Sequence, residues 1–188
     1  MTLPDLLSPT YVQMLKSLKA WLCKAEAQRP DGAAEALLGA RLASDMFPLA
    51  TQIRFACVQA LESVFRLQGR ELPSSLEVLL NEGRGADEQP GSIADACARI
   101  DETLAIVEGA ASDVREVDPA TPIAHALPMG MVFDLTAEQY ARDWALPQFY
   151  FHVMAAYTIL RAEGVELGKA DYIGHMFAYL RPGTMPVR

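Results

Sequence analysis

One histidine, His152, stands in the aromatic and aliphatic run LPQFYFHVMAAYTIL, one turn after Gln148 and just past Phe149, Tyr150 and Phe151. On a helix, residues four apart project about 40° from each other around the axis, one turn up the same face. That geometry suits two ligands to one metal, or an amide that orients an imidazole. Histidine is a good ligand for zinc or nickel, whereas glutamine is a poor one, because these ions favour imidazole, thiolate and carboxylate. Three readings stand side by side: a metal ligand, an acid–base or binding group, and a polar residue hydrogen-bonded within the core. Trp144, Phe149, Tyr150, Phe151 and Tyr157 together are richer in aromatic surface than one helix face needs. They fit a core and subunit interface. They also fit the wall of a pocket for a small apolar ligand, with His152, Gln148 and Tyr150 as its polar ends.

Other chemistry is thinner. His125 lies in IAHAL and His175 in the tail, both read as surface or edge residues. Cys23, Cys57 and Cys97 are widely spaced, form no CxxC pair, and read as small core hydrophobes with reduced thiols. Ser74, Ser75 and Ser92 have no nucleophile-elbow pattern around them, and GRGADEQPG has neither a lysine–serine ending nor a preceding strand. Asp45 near Arg41 or Arg54 reads as a solvated or paired helix charge rather than a catalytic acid.

The 188 residues carry 51% hydrophobic and 21% charged side chains with a net charge of −8, the profile of one globular domain over 1–188. An acidic chain without a basic stripe disfavours nucleic acid as a partner. The opening MTLPDLLSPTYVQMLKSLKAWL lacks a basic head and a continuous apolar core, so it is not read as a signal peptide. No apolar run approaches the roughly 20 residues of a membrane span. A cytoplasmic location follows as the expectation, with no membrane partner.

The elements that must position His152 are mainly helical. Tyr11, Met14, Leu15, Leu18, Trp21, Leu22 and Ala25 predict a helix over 8–28 that stops at RPDG. Met46, Leu49, Ile53, Ala56, Cys57, Ala60, Leu61, Val64 and Leu67 predict a second, capped near Ser44 and ended by Gly69. Residues 70–91 read as the loosest part of the chain. SIAD is a capping motif for a helix from about Ser92, with Ile93, Ala96, Cys97, Ile100, Leu104 and Val107 inward. PIAHAL and MVFDL flank the turn PMG, a hairpin in which Gly130 supplies a positive φ. Thr136 and Gln139 open the last long helix as a capping box, with Pro147 expected to break it into a short lead-in and a main part. Tyr172, Ile173, Phe177 and Leu180 are expected to pack the tail back onto the bundle.

FHVMAAYTILRAEGVELGKADYIG and LLGARLASDMFPLATQIRFACVQA resemble the last and second helices of a bacterial family, domain of unknown function 1993. LPQFYFHV also matches that family's pattern, in which asparagine is commoner than Gln148. The resemblance spans about 38–174 and places the chain in the DinB/YfiT-like superfamily of putative metalloenzymes. It implies an all-α, up-down-down-up four-helix bundle with the hairpin before the last helix, and a homodimer. Metal-binding members carry three histidines, one on the second helix and two spaced by four on the last. By position the last pair falls on Gln148 and His152. Residues 33–70 hold no histidine, only Asp45, Gln52 and Gln59 as polar candidates. The metal site is thus expected to be degenerate and no cofactor is expected. A divalent metal, zinc or nickel, would have His152 and Asp45 as ligands if it bound. The leading expectation is a dimeric small-molecule-binding bundle with a pocket at His152, Gln148, Tyr150, Gln52 and Asp45. Alternatives are a metal-dependent hydrolase, a transferase using a low-molecular-weight thiol, and a non-catalytic protein-interaction module. Whether the protein is an enzyme stays open.

Overall fold

The computed structural model describes residues 3–113 and 117–184. Helix α1 runs Leu3–Gln28, α2 Leu49–Leu67, α3 Ser75–Gly85 and α4 Ile93–Ser112. The strands β1 (Pro122–Ala126) and β2 (Val132–Thr136) precede a short turn α5 (Ala137–Gln139) and the long α6 (Leu146–Ala162). The tail adds α7 (Lys169–Tyr172) and a 3-10 turn over Gly174–Tyr179.

Helices α1, α2, α4 and α6 enclose the core. Their directions follow from side chains that meet across the bundle. Tyr11, early in α1, faces Ser63, late in α2, so those two run antiparallel. Arg54 acts on Asp95, Cys57 lies against Thr103, and Gln68 Nε2 donates to the Ala110 carbonyl at 3.0 Å, so α2 and α4 run parallel. Trp21 meets Tyr157 while Tyr11 meets Phe149, so α1 and α6 also run parallel. This is the up-down-down-up arrangement. Apart from Met46, which precedes α2, and half-buried Cys97, the apolar stripes expected for α1, α2 and α4 form its buried interior, from Leu15 and Leu18 through Ile53 and Leu61 to Ile100 and Val107.

Local signals act where they were read. The Ser92 hydroxyl accepts from Asp95 N–H at 3.0 Å while the Asp95 carboxylate accepts from Ser92 N–H, so α4 begins on a reciprocal capping box. Thr136 and Gln139 form the same motif at α5. The hairpin pairs Pro122 with Thr136 and His125 with Phe133, and Gly130 turns it at φ 82° with its N–H bonded to the Leu127 carbonyl.

Five expectations need correction. First, α1 starts five residues before Ser8, because buried Leu7 extends the inward stripe, and Pro9 removes only one early hydrogen bond. Second, α2 starts at Leu49 with Pro48 as its cap, while Ala33–Gly39 is a separate 3-10 turn, so Asp45 lies in an exposed loop. Third, residues 75–85 are helical: Leu76, Leu79 and Gly83 face inward at helical spacing. Fourth, the main helix starts at Leu146 with Pro147 in its first turn, as expected, but the lead-in is not only a short α-helix. The backbone widens into a π turn over Tyr140–Ala145, in which Leu146 N–H reaches the Ala141 carbonyl five residues back. Fifth, of the four tail residues expected to pack on the bundle, Tyr172 and Ile173 are half-buried, whereas Phe177 and Leu180 are 49% and 41% exposed.

Candidate functional site

Between α2 and α6, His152, Gln148, Gln52 and Asp45 line one cavity of about 470 Å3 with Met46, Phe47, Phe55, Gln59 and Phe151. Asp45, Met46 and Phe47 come from the loop before α2, which Pro48 holds in extended backbone at the helix entry. Gln52, Phe55 and Gln59 succeed one another along α2 at three- and four-residue steps, and on α6 Phe151 and His152 follow Gln148 by three and four residues. Tyr150, expected here, is elsewhere: two residues from His152 it turns to the far side of α6 and packs edge-on against Phe149 at 5.7 Å.

A hydrogen-bond chain fixes the centre of the cavity. The Gln52 amide donates from Nε2 to the Phe47 carbonyl at 3.2 Å, leaving its Oε1 as an acceptor. His152 Nδ1 lies 2.8 Å from that oxygen, so Nδ1 carries the proton and donates. Nε2 keeps its lone pair. The imidazole is set edge-on between Phe55 at 5.4 Å and Phe151 at 5.3 Å. Burial in this shell disfavours the charged ring and pulls its pKa down to about 4. Gln59 adds a second acceptor: its Oε1 is buried without a hydrogen-bond partner within the protein.

These residues do not fit the metal site implied by the fold. One imidazole with its Nδ1 engaged, three amides and one exposed carboxylate are a weak donor set for zinc or nickel. Among the described residues, no group of three or more His, Cys, Asp or Glu side chains could hold a metal ion.

The remaining candidates are dispersed. His125 is buried, not at the surface: its ring packs 4.4 Å from Trp144 and 5.4 Å from Tyr140, and neither nitrogen meets a partner within the protein. Burial lowers its pKa. His175 lines a groove against α1 with Gln13 and Asp171. The three histidines are therefore not brought together. Arg41 bonds Asp87 and Arg54 pairs with Glu82, so neither is the partner of Asp45. Cys57 is buried as expected, but Cys23 is exposed and Cys97 half-buried.

Sequence reasoning missed Phe47 and Phe55. Phe55 lies off the α2 core stripe between Arg54 and Ala56, and an aromatic residue outside the stripe is the signal that could have found it. Its position depends on α3. A Cβ on Gly83 would come within 2.5 Å of Phe55 Cε1 and 3.3 Å of Arg54 Cβ. The Gly83 carbonyl also accepts from Thr51 Oγ1 at 2.8 Å, which holds α3 close. Gly83→Ala should therefore swing the Phe55 ring and cost about 1–3 kcal/mol by overpacking. The check is a proton NMR spectrum: the His152 ring signals, set in part by the Phe55 ring current, should move while those of His125 stay.

Comparison with known proteins follows the same lines. The family model described as Domain of unknown function (DUF1993) matches residues 3–173. A crystal structure of a DinB family member protein from Shewanella denitrificans is 34% identical, with a TM-score of 0.70 over 98% of this chain and 96% of that one. No curated protein matches. No helix among the described residues is long and apolar enough to cross a membrane. The fold, the matched family model and the Shewanella denitrificans relative agree, and the chain belongs to the DUF1993 family on a DinB-like bundle.

Proposed function

We propose that the cavity between α2 and α6 binds a small uncharged molecule with an apolar or aromatic body and at least one hydrogen-bond donor. The observation that carries this reading is the chain from the Phe47 carbonyl through Gln52 to His152, which fixes the tautomer. A neutral imidazole with Nδ1–H engaged has only the Nε2 lone pair left to offer. Gln59 Oε1, buried and unpartnered, asks for a donor as well. A buried acceptor without a partner costs about 1–3 kcal/mol, so a hydroxyl or amide N–H from a ligand would recover that loss. Phe47, Phe55 and Phe151 would enclose the apolar body, with Gln148 giving either hydrogen-bonding sense. The alternatives of a metal-dependent hydrolase and a thiol transferase draw no support from this donor set.

Benzamide and toluene are suitable probes, alike in ring and different in donors. Titration calorimetry and thermal unfolding should show benzamide binding, with a midpoint that rises with the logarithm of its concentration. His152→Phe should weaken benzamide roughly tenfold, the worth of one neutral hydrogen bond, and leave toluene nearly unchanged. Equal binding of both probes, or stoichiometric zinc lost in the variant, would overturn the reading.

A further inference from the structure

Helices α1 and α4 lie side by side in opposite directions, and their exposed edges meet in a ladder. Lys16 Nζ bonds Glu108 Oε1 at 2.9 Å, and one turn on Lys19 Nζ bonds the Asp101 carboxylate at 2.6 Å and 2.7 Å. The next turn along α1 brings Cys23, and the next turn back along α4 brings Cys97. The ladder thus places the two thiols opposite each other. They are close enough to act on each other electrostatically, and the Lys19 charge acts on both. Cys23 is exposed and Cys97 half-buried, whereas Cys57 is fully buried.

We propose that Cys23 and Cys97 form a reversible interhelical disulfide by exchange with a low-molecular-weight disulfide. Cys23, open to solvent, attacks first as its thiolate. One sulfur–sulfur bond of the small disulfide breaks, one thiolate leaves, and a mixed disulfide forms on Cys23. The Cys97 sulfur then attacks the Cys23 sulfur of that bond and expels the second small thiolate. The two protein thiols are oxidised by two electrons, the small disulfide is reduced to two thiols, and the two protein protons end on those thiols. The antiparallel register of the ladder sets the two cysteines opposite each other on packed helices, the placement that the short Cβ separation of a disulfide requires. Burial first and then the neighbouring Cys23 push Cys97 up to about 11, which keeps it protonated until Cys23 has reacted. The crosslink would join α1 to α4 across a long stretch of chain and restrict the unfolded state. It lies on the α1–α4 seam, so it stands apart from the cavity between α2 and α6.

The test treats the full chain with 2-hydroxyethyl disulfide and follows intact mass and thermal unfolding. The expected product has lost two hydrogens, carries no adduct, yields a peptide linking Cys23 to Cys97, melts higher, and reverts with dithiothreitol. Cys97→Ser should stop at a mixed disulfide on Cys23, Cys23→Ser should leave Cys97 unreacted, and Cys57→Ala should crosslink like the parent. A parent protein that stops at the mixed disulfide, stays unreacted, or crosslinks only between chains would overturn the proposal.

Discussion

Trp21→Ala should lower the free energy of unfolding by about 3–5 kcal/mol, the range for truncating a fully buried tryptophan. The indole is 1% exposed and joins three parts of the chain. It meets Tyr157 of α6 edge-on at 5.2 Å and stacks on Tyr172 of the tail at 6.1 Å. Its Nε1–H donates to the Asp171 carbonyl at 3.2 Å, beside the ion pair of Lys24 with Asp171 at 3.0 Å. Alanine removes the ring contacts and leaves a cavity where α1, α6 and α7 converge. Trp21→Phe keeps most of the ring and loses the hydrogen bond, so about 1 kcal/mol beyond the change in ring size is expected. Urea unfolding followed by circular dichroism separates the two. If Trp21→Ala costs no more than Trp21→Phe, the tail is not held by this ring.

The second large effect is a loss of stability in acid. His152 has a pKa of about 4 in the folded chain against an ordinary 6.5. Between those values the unfolded chain binds a proton that the folded chain refuses, so stability falls as pH drops through the window and levels off below it. At about 1.4 kcal/mol per pH unit, the whole span is worth roughly 3 kcal/mol. His125, also lowered by burial, acts in the same direction. Asp95, Asp143 and Asp171, held below the usual carboxylate range, lose their contribution at lower pH. The measurement is the free energy of unfolding in urea from pH 7.5 to 4 for the parent and His152→Gln. The variant should show a shallower slope whatever its absolute stability. Identical slopes would mean that the imidazole is charged, or freely hydrated, in the folded protein.

Signals that act within one turn or one hairpin were legible in the sequence. The inward stripe of α4, the boxes at Ser92 and Thr136, and the turn at Gly130 each depend on residues a few positions apart. Helix α3 escaped because its inward face includes Gly83, which carries no hydrophobic signal although the site depends on its lack of a side chain. Pro147 does mark the start of α6, but the π turn in the lead-in before it is announced by no local spacing. In the site, the pairing of Gln148 with His152 is local, whereas the partner that fixes the histidine's tautomer is on another helix. Tyr150 was drawn in by its closeness in sequence, and a two-residue step on a helix points the other way.

The bond between Gln52 and His152 spans 100 residues of chain. Synthesis delivers α1 to α4 long before α6, and helices that have emerged can begin to pack while the remainder is still being made. Until α6 arrives, Gln52 presents its amide to water along an open slot. The cavity therefore comes into being only as the final bundle helix docks, and completing the fold and enclosing the cavity are the same event. A molecule that fills the site would act on that closing step by mass action, as a brace for the last piece of the chain to find its place.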